Sequence, residues 1–512
     1  MLNQNFGGFT PSLPGIDIQF PSVDHLNHFE GAWGRFGRPK LENDGPDRLG
    51  LMCVGTVVEH ELRHFHDFLL NRDLLLSSWL RRRMSMNALP SIMTMLKSQT
   101  FDVIPYPLIE WARLPERSRA KRRAELERLF PTDRRRFWSP PMLPARIQPP
   151  KSAVNQAPRS EPEAEQAMRR ALQAVREDMR TSAPLRAGLD DPAYGKMRFT
   201  PRYAFEVSAL NAQLHAVIKT YGMNEGTEFL AMLAGQGTAY SRFFIQALQV
   251  LTGVSRPNAR QGEPIDLPKL SAVAFWIMTG CRDDGPKGGP ATRLAMLMSA
   301  ASDDWVSIFP AGLTVTELVD HFDSMMGCVP FRDSLARTQT EMEWHLAAAR
   351  QLLESEPDES KLQLSTVATY DSVLSCRRSL VSRIIAQPET YIDPYLWMGD
   401  LTIWPQCPVH MRFSAGRFGV PRERFAQYPS DAQYNVTTNL PLAQVNDWVG
   451  DVYLQSFFLA MDEIPLAPVI QHQRLNLLFD LLIEPDSMRP HDVMALRDFA
   501  RTQYGKELVH LI

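Results

Sequence analysis

Between Leu51 and Leu70 apolar side chains recur at Val54, Val58, Leu62, Phe65 and Leu69. Steps of three and four predict a helix with one buried stripe. No Pro or Gly interrupts the pattern between Thr56 and Leu70. The opposite face carries His60, His64 and Asp67, and Glu59, Arg63 and His66 form an adjoining polar strip. The same period recurs downstream. It predicts helices near 166–182, 202–220, 225–234, 238–252, 270–280, 291–302, 314–326, 332–355, 366–386, 446–461, 468–484 and 491–507.

Other stretches lack that period. Residues 1–50 are rich in Gly, Pro and aromatics and read as irregular chain or short strands. Residues 138–165 are dominated by Pro, Ser, Ala and charge, the composition of a linker or exposed insertion. Residues 387–445, with Pro, Tyr and Trp, read as irregular with a few short strands. No repeat of 20–50 residues is present, which argues against a solenoid. The expected fold is mainly α: a multi-helix globular protein with an irregular N-terminal segment, a Pro-rich insertion and few short strands. The expected division is 1–137, 138–165, 166–330 and 331–512.

Composition narrows the function classes. The chain has 512 residues, 44% hydrophobic and 22% charged, which suits a soluble globular protein with a large core. The longest apolar runs, such as Leu270–Cys281, fall short of the roughly 20 residues a membrane span needs. The N-terminal stretch has neither a basic region nor an apolar core of the secretory type. Five scattered cysteines argue against a disulfide scaffold and point to a reducing cytoplasm. A net charge of −3 gives no global field for nucleic acid. The basic run at 113–136 reads as a solvated helix with pairs such as Arg123–Glu127, and it lacks the aromatic interleaving of a nucleic-acid groove.

The sharpest chemistry lies in His60-Glu61-Leu62-Arg63-His64. On a helix His60 and His64 stand one turn apart on one face, so both imidazoles can reach one metal ion. Glu61 sits about 100° round, within reach of a metal-activated water as general base. His66 points roughly 240° from His60 and does not serve the same ion. His25 and His28, three residues apart, read as surface histidines. No phosphate-binding loop, dinucleotide fingerprint or nucleophile elbow occurs.

The five residues from His60 to His64 resemble the motif of the zincin metallopeptidases. The resemblance covers that motif and its helix only. It implies zinc ligation by His60 and His64 and general-base action by Glu61. The metzincin continuation, a Gly and a third His, is absent from the residues after His64. A third ligand from a second helix, as in gluzincins, is therefore expected. Glu206 is the best candidate. Thr200 as N-cap and Pro201 at the first helical position open its helix. Phe205, Val207, Ala209 and Leu210 surround it with apolar neighbours, and a buried acid needs a partner. Glu225, Glu228, Glu317 and Asp67 are rivals, and pairing of Glu206 with Arg202 is the ordinary alternative. Asp67, on the metal face, suits a supporting role, accepting from an imidazole N–H. Tyr203, His215 and Tyr240 are candidates for stabilising an oxyanion.

The function expected is that of an intracellular zinc hydrolase, most simply a peptidase acting on protein or peptide. Two alternatives stand beside it. One is a non-catalytic helical assembly or regulatory protein in which the motif is structural or accidental. The other is a site for a different metal and a non-peptidase reaction.

Overall fold

A computed structural model of the chain describes in the main residues 15–32, 47–76, 201–253, 266–354 and 361–394, together with a few short strands elsewhere. The chain is mainly α. Its helices follow the apolar periods closely. The Leu51–Leu70 stripe lies in α2, Arg48–Leu70. Helix α1, Val23–Ala32, precedes it. After it come α3, Pro201–Thr220, α4, Met223–Gln236, and α5, Ala239–Leu251. Leu267–Trp276, Pro290–Asp303, Val315–Met326, Phe331–Glu354 and Lys361–Ala386 continue the series. The predicted helices at 166–182, 446–461, 468–484 and 491–507 and the 138–165 insertion lie outside the described residues. So does nearly all of the basic run.

Local chemistry sets several of these boundaries. Thr238 accepts from the Ser241 N–H at 3.1 Å and opens α5. Thr314 and Glu317 form a reciprocal capping box at the start of Val315–Met326. That helix closes on Gly327 in the left-handed region, φ 61°.

The described parts of residues 1–50 are more regular than their composition suggests. Helix α1 forms within a Gly- and Pro-rich context because Ser22 accepts from the His25 N–H at 3.3 Å, while Leu26 and Phe29 bury one face. Ahead of it, Gly7–Thr10 pairs antiparallel with Gly15–Phe20. Gly15–Phe20 pairs in parallel with His410–Ala415, register Gly15 to His410 through Phe20 to Ala415. Ile16, Ile18 and Phe20 are at most 1% exposed, the inward set of a period-two strand. Arg424–Phe425 completes this sheet, and helix α2 packs beside its first two strands.

The chain divides into two compact units. The first comprises 1–76, 187–344 and 372–437, and it contains α1 to α5, the four-stranded sheet and the buried core around α2 and α3. The second comprises 77–186, 345–371 and 438–512. Within it Val103–Tyr106 pairs in parallel with Glu507–His510, and the rings of Trp79 and Tyr370 pack at a tilt, centroids 4.6 Å apart.

In the first unit one guanidinium ties four segments together. Arg293 is fully buried, with Nη2 donating to Asp284 at 2.8 Å and Nη1 to the Trp276 carbonyl at 2.9 Å. Its plane lies 4.5 Å over the Trp276 ring. Asp284 also accepts from the Cys281 and Val329 N–H groups. Asp323 accepts from the Trp276 indole at 2.7 Å and the Phe331 N–H at 2.6 Å. Removing the cation strands Asp284 in the interior. Arg293→Ala is expected to lower stability by about 3–5 kcal/mol, read as a shifted urea midpoint with unchanged slope. A loss under 1 kcal/mol would contradict this account of the network.

Candidate metal centre

Helix α2 is enclosed on nearly every side, and it packs along α3. Its apolar stripe is buried as the period predicts. Most of its polar face is buried too: Glu61 is 4% exposed, Arg63 2%, His66 4% and Asp67 0%. Only a few positions on the motif stay partly open, among them Glu59, His60 and His64. The polar face therefore looks onto another helix.

That helix is α3. Its second turn brings Glu206 between the two histidines. His60 Nε2 lies 3.5 Å from Glu206 Oε2, and His64 Nε2 lies 3.9 Å from Glu206 Oε1. The imidazole rings meet edge to face, centroids 4.8 Å apart. One ligand atom from each residue fits within 4.8 Å of the others, so the three form a group that could hold a metal ion. It is the only such group among the described residues.

The charges follow from burial and from this convergence. Burial opposes ionisation of Glu206, but the hydrogen bond from His60 and the neighbouring His64 hold its carboxyl down at about 2. Burial works against a charged His60 as well, yet Glu206 and Glu61 raise its pKa above the ordinary value. His64 goes the other way. Burial, opposed by Glu206 and reinforced by His60 and Arg202, lowers it to about 3. Burial thus favours the neutral form of His64, while the neighbouring carboxylates favour the charged form of His60. A metal ion bound here would need both imidazoles neutral and the carboxylate ionised.

The rival acids have other work. Arg48 holds Glu228 with both carboxylate oxygens, at 2.8 and 2.6 Å, and Glu225 at 2.9 Å. Glu317 caps its own helix. Asp67 is ion-paired with Arg63, Oδ1 to Nε 3.0 Å, and its pKa is raised by burial to about 7 despite that cation. Its partner in this structure is a guanidinium, whereas the sequence suggested an imidazole N–H. Arg63 also donates from Nε to Ser208 Oγ on α3 at 2.7 Å. His66 is buried and lowered to about 3, first by burial and then by Arg63.

Arg202, one turn before Glu206, has its guanidinium 4.9 Å over the Tyr240 ring, and its charge reaches Glu206 and His64. Tyr203 stacks on Phe243 at 4.8 Å and lies 5.4 Å from Tyr240. These three partly exposed residues border the open side of α3 near Glu206. His215 lies elsewhere. Nine residues beyond Glu206, it faces the opposite side of α3, about 13 Å along the axis. There Ser271 Oγ is 3.2 Å from its Nε2 and Asp393 is 3.7 Å from its Nδ1.

Two features escaped the sequence pattern. His28 shares a 3.2 Å hydrogen bond with Tyr221, whose hydroxyl lies where a Cβ at Gly55 would stand. His25 pairs instead with Asp47 at 2.7 Å. The two histidines are half-buried and engaged separately. The Arg63–Ser208 bond was likewise invisible, because nothing local marks Ser208 as an acceptor. Comparison with known protein families, with curated proteins and with solved structures found no match.

The buried His215 gives a pH test apart from the cluster. Burial, with Arg63 and Lys219, lowers it from 6.5 to about 3. The native imidazole stays neutral where the unfolded one takes up a proton. Its contribution is complete above pH 6.5 and declines as pH falls toward 3, by up to about 1.4 kcal/mol per pH unit. In urea titrations from pH 6 to 4, His215→Gln is expected to flatten the fall in stability by nearly one proton. An unchanged slope would show that His215 is not buried neutral.

Proposed function

We propose that this protein is a zinc-dependent hydrolase, most simply a peptidase, with His60, His64 and Glu206 as ligands and Glu61 as general base. The observation that carries the reading is the convergence of Glu206 from a distant helix onto both histidines of the motif. Two imidazole nitrogens and one carboxylate are a donor set typical of catalytic zinc, which leaves a fourth position for water. Tetrahedral ligands about 2.0–2.1 Å from zinc stand about 3.3 Å apart. The histidine–carboxylate separations of 3.5 and 3.9 Å need only small side-chain adjustments to meet that spacing.

The bound ion would supply Lewis-acid activation of a water and of the scissile carbonyl. The remaining work falls to the chain. Glu61, next to His60 and buried at 4% exposure, takes the proton of the attacking water and returns it to the leaving amine. Glu206 and the two histidines hold their places on two packed helices, so little reorganisation accompanies the reaction. Arg202 and Tyr203 border Glu206 and are positioned to meet substrate. The proposed substrate is a protein or peptide.

An intracellular setting belongs to the same proposal. Cys53, Cys281, Cys328 and Cys376 are free thiols, as expected in a reducing compartment. Among the described residues no helix is long and apolar enough to cross a membrane.

Metal analysis of freshly purified protein is expected to give close to one zinc per chain. His60→Ala and Glu206→Ala should lose it. Glu61→Gln should keep the zinc and lower hydrolysis of a peptide library at least a hundredfold, the scale expected on removing a general base. Wild-type protein without metal after zinc loading would remove the hydrolase reading. A zinc-loaded Glu61→Gln variant with full hydrolytic rate would remove Glu61 from its role.

A further inference from the structure

We propose that Arg63 is the positioning residue of this centre, fixing Glu206 against His60 and His64 through Ser208. The inference rests on the metal-site reading above. Arg63 lies between the two histidines on α2, and Ser208 lies two residues after Glu206 on α3. The Nε donates to Ser208 Oγ at 2.7 Å and stands 3.0 Å from Asp67, one turn further along α2. Arg63, Asp67 and Ser208 are 2%, 0% and 0% exposed.

An ion pair at that depth is a poor way to gain stability. Desolvating both charges offsets much of their attraction, and apolar side chains of the same volume would hold the helices as well. What the guanidinium adds is direction. Apolar contacts between α2 and α3 tolerate small slides, since packing energy changes gradually with shape. A hydrogen bond loses most of its strength over a fraction of an ångström or a few tens of degrees. Asp67 holds the guanidinium by charge from its own helix, beside the single Nε–H from which Ser208 accepts. That bond sets where Ser208 stands, and with it the second turn of α3. Gln213 supplies a second interhelix bond further along, donating to Thr56 Oγ1 at 3.3 Å. Gln213 also bonds His60 and so supports that ligand directly, while Arg63 acts at the turn that carries Glu206.

Asp67 takes part on both sides: it pairs with Arg63 and shares a side-chain hydrogen bond with Ser208, so the two together hold the helix of the third ligand. Losing a direct partner of a metal ligand typically weakens metal binding 10- to 100-fold, and Arg63 acts one step further out, through the helix of Glu206, so the lower end of that range applies.

The test measures zinc affinity by competition with a chromophoric chelator, beside thermal unfolding of the same preparations. Ser208→Ala is expected to weaken zinc about tenfold or more. Asn211→Ala is the control: Asn211 is equally buried on α3, but it donates to Ser271 on the far side, at 3.3 Å. It should lose stability and keep wild-type affinity. Equal affinity in Ser208→Ala and wild type would overturn the positioning role. An equal loss in both variants would also overturn it, as general loosening of α3. Failure of wild type to bind zinc would instead overturn the hydrolase reading, and this inference with it.

Discussion

The packing of α2 against α3 is the constraint on which the rest of the first unit depends. A helix enclosed on nearly every side cannot leave polar groups unanswered, because each buried donor or charge costs free energy unless paired. Helix α2 carries two histidines, an arginine, an aspartate and a threonine into that interface. Each meets a partner on α3 or on its own next turn. Glu206 answers the histidines, Ser208 and Asp67 answer Arg63, and Gln213 answers Thr56. The candidate centre is one part of a polar seam running between two otherwise apolar helices.

The seam also explains the unequal behaviour of chemically similar groups. His64 and His66 sit where burial outweighs any nearby acid, and both are held neutral well below their ordinary range. His60 stands closer to Glu206 and goes the opposite way. Glu206 and Asp67 are both enclosed acids next to cations, yet one is driven down and the other up. The difference is in what opposes burial: Glu206 accepts a hydrogen bond from His60 with Arg202 nearby, whereas around Asp67 burial outweighs Arg63 and Ser208. Such divergence among neighbours suits a site that must hold a carboxylate ionised and an imidazole free of its proton.

Much of this was legible in the residues. The helices follow the three-and-four spacing of apolar positions, and α3 begins at Pro201, the expected first helical position. His60, Glu61 and His64 are fixed by local helix geometry. Glu206 was reachable because few acids sit so deep in an apolar helical face. The competing acids were not separable by sequence. Glu225 and Glu228 are matched by Arg48, far away in the chain, and no local rule announces that pairing. Helix α1 was hidden by its Gly- and Pro-rich surroundings, because its stability comes from Leu26 and Phe29 packing in the tertiary fold. The reach of Asp67 to Arg63 was available as an i,i+4 pair, but its burial, and so its importance, was not.

The parallel pairing of Gly15–Phe20 with His410–Ala415 bears on how the protein is made. A ribosome adds about 5–20 residues per second. The two histidines of α2 therefore emerge on the order of ten seconds before Glu206 exists. The strand that closes the sheet beside them follows later still. Over that interval the apolar stripe of α2 lacks the α3 surface that buries it in the complete chain. In the proposed centre, a metal ion met during synthesis would find two of its three ligands until α3 arrives.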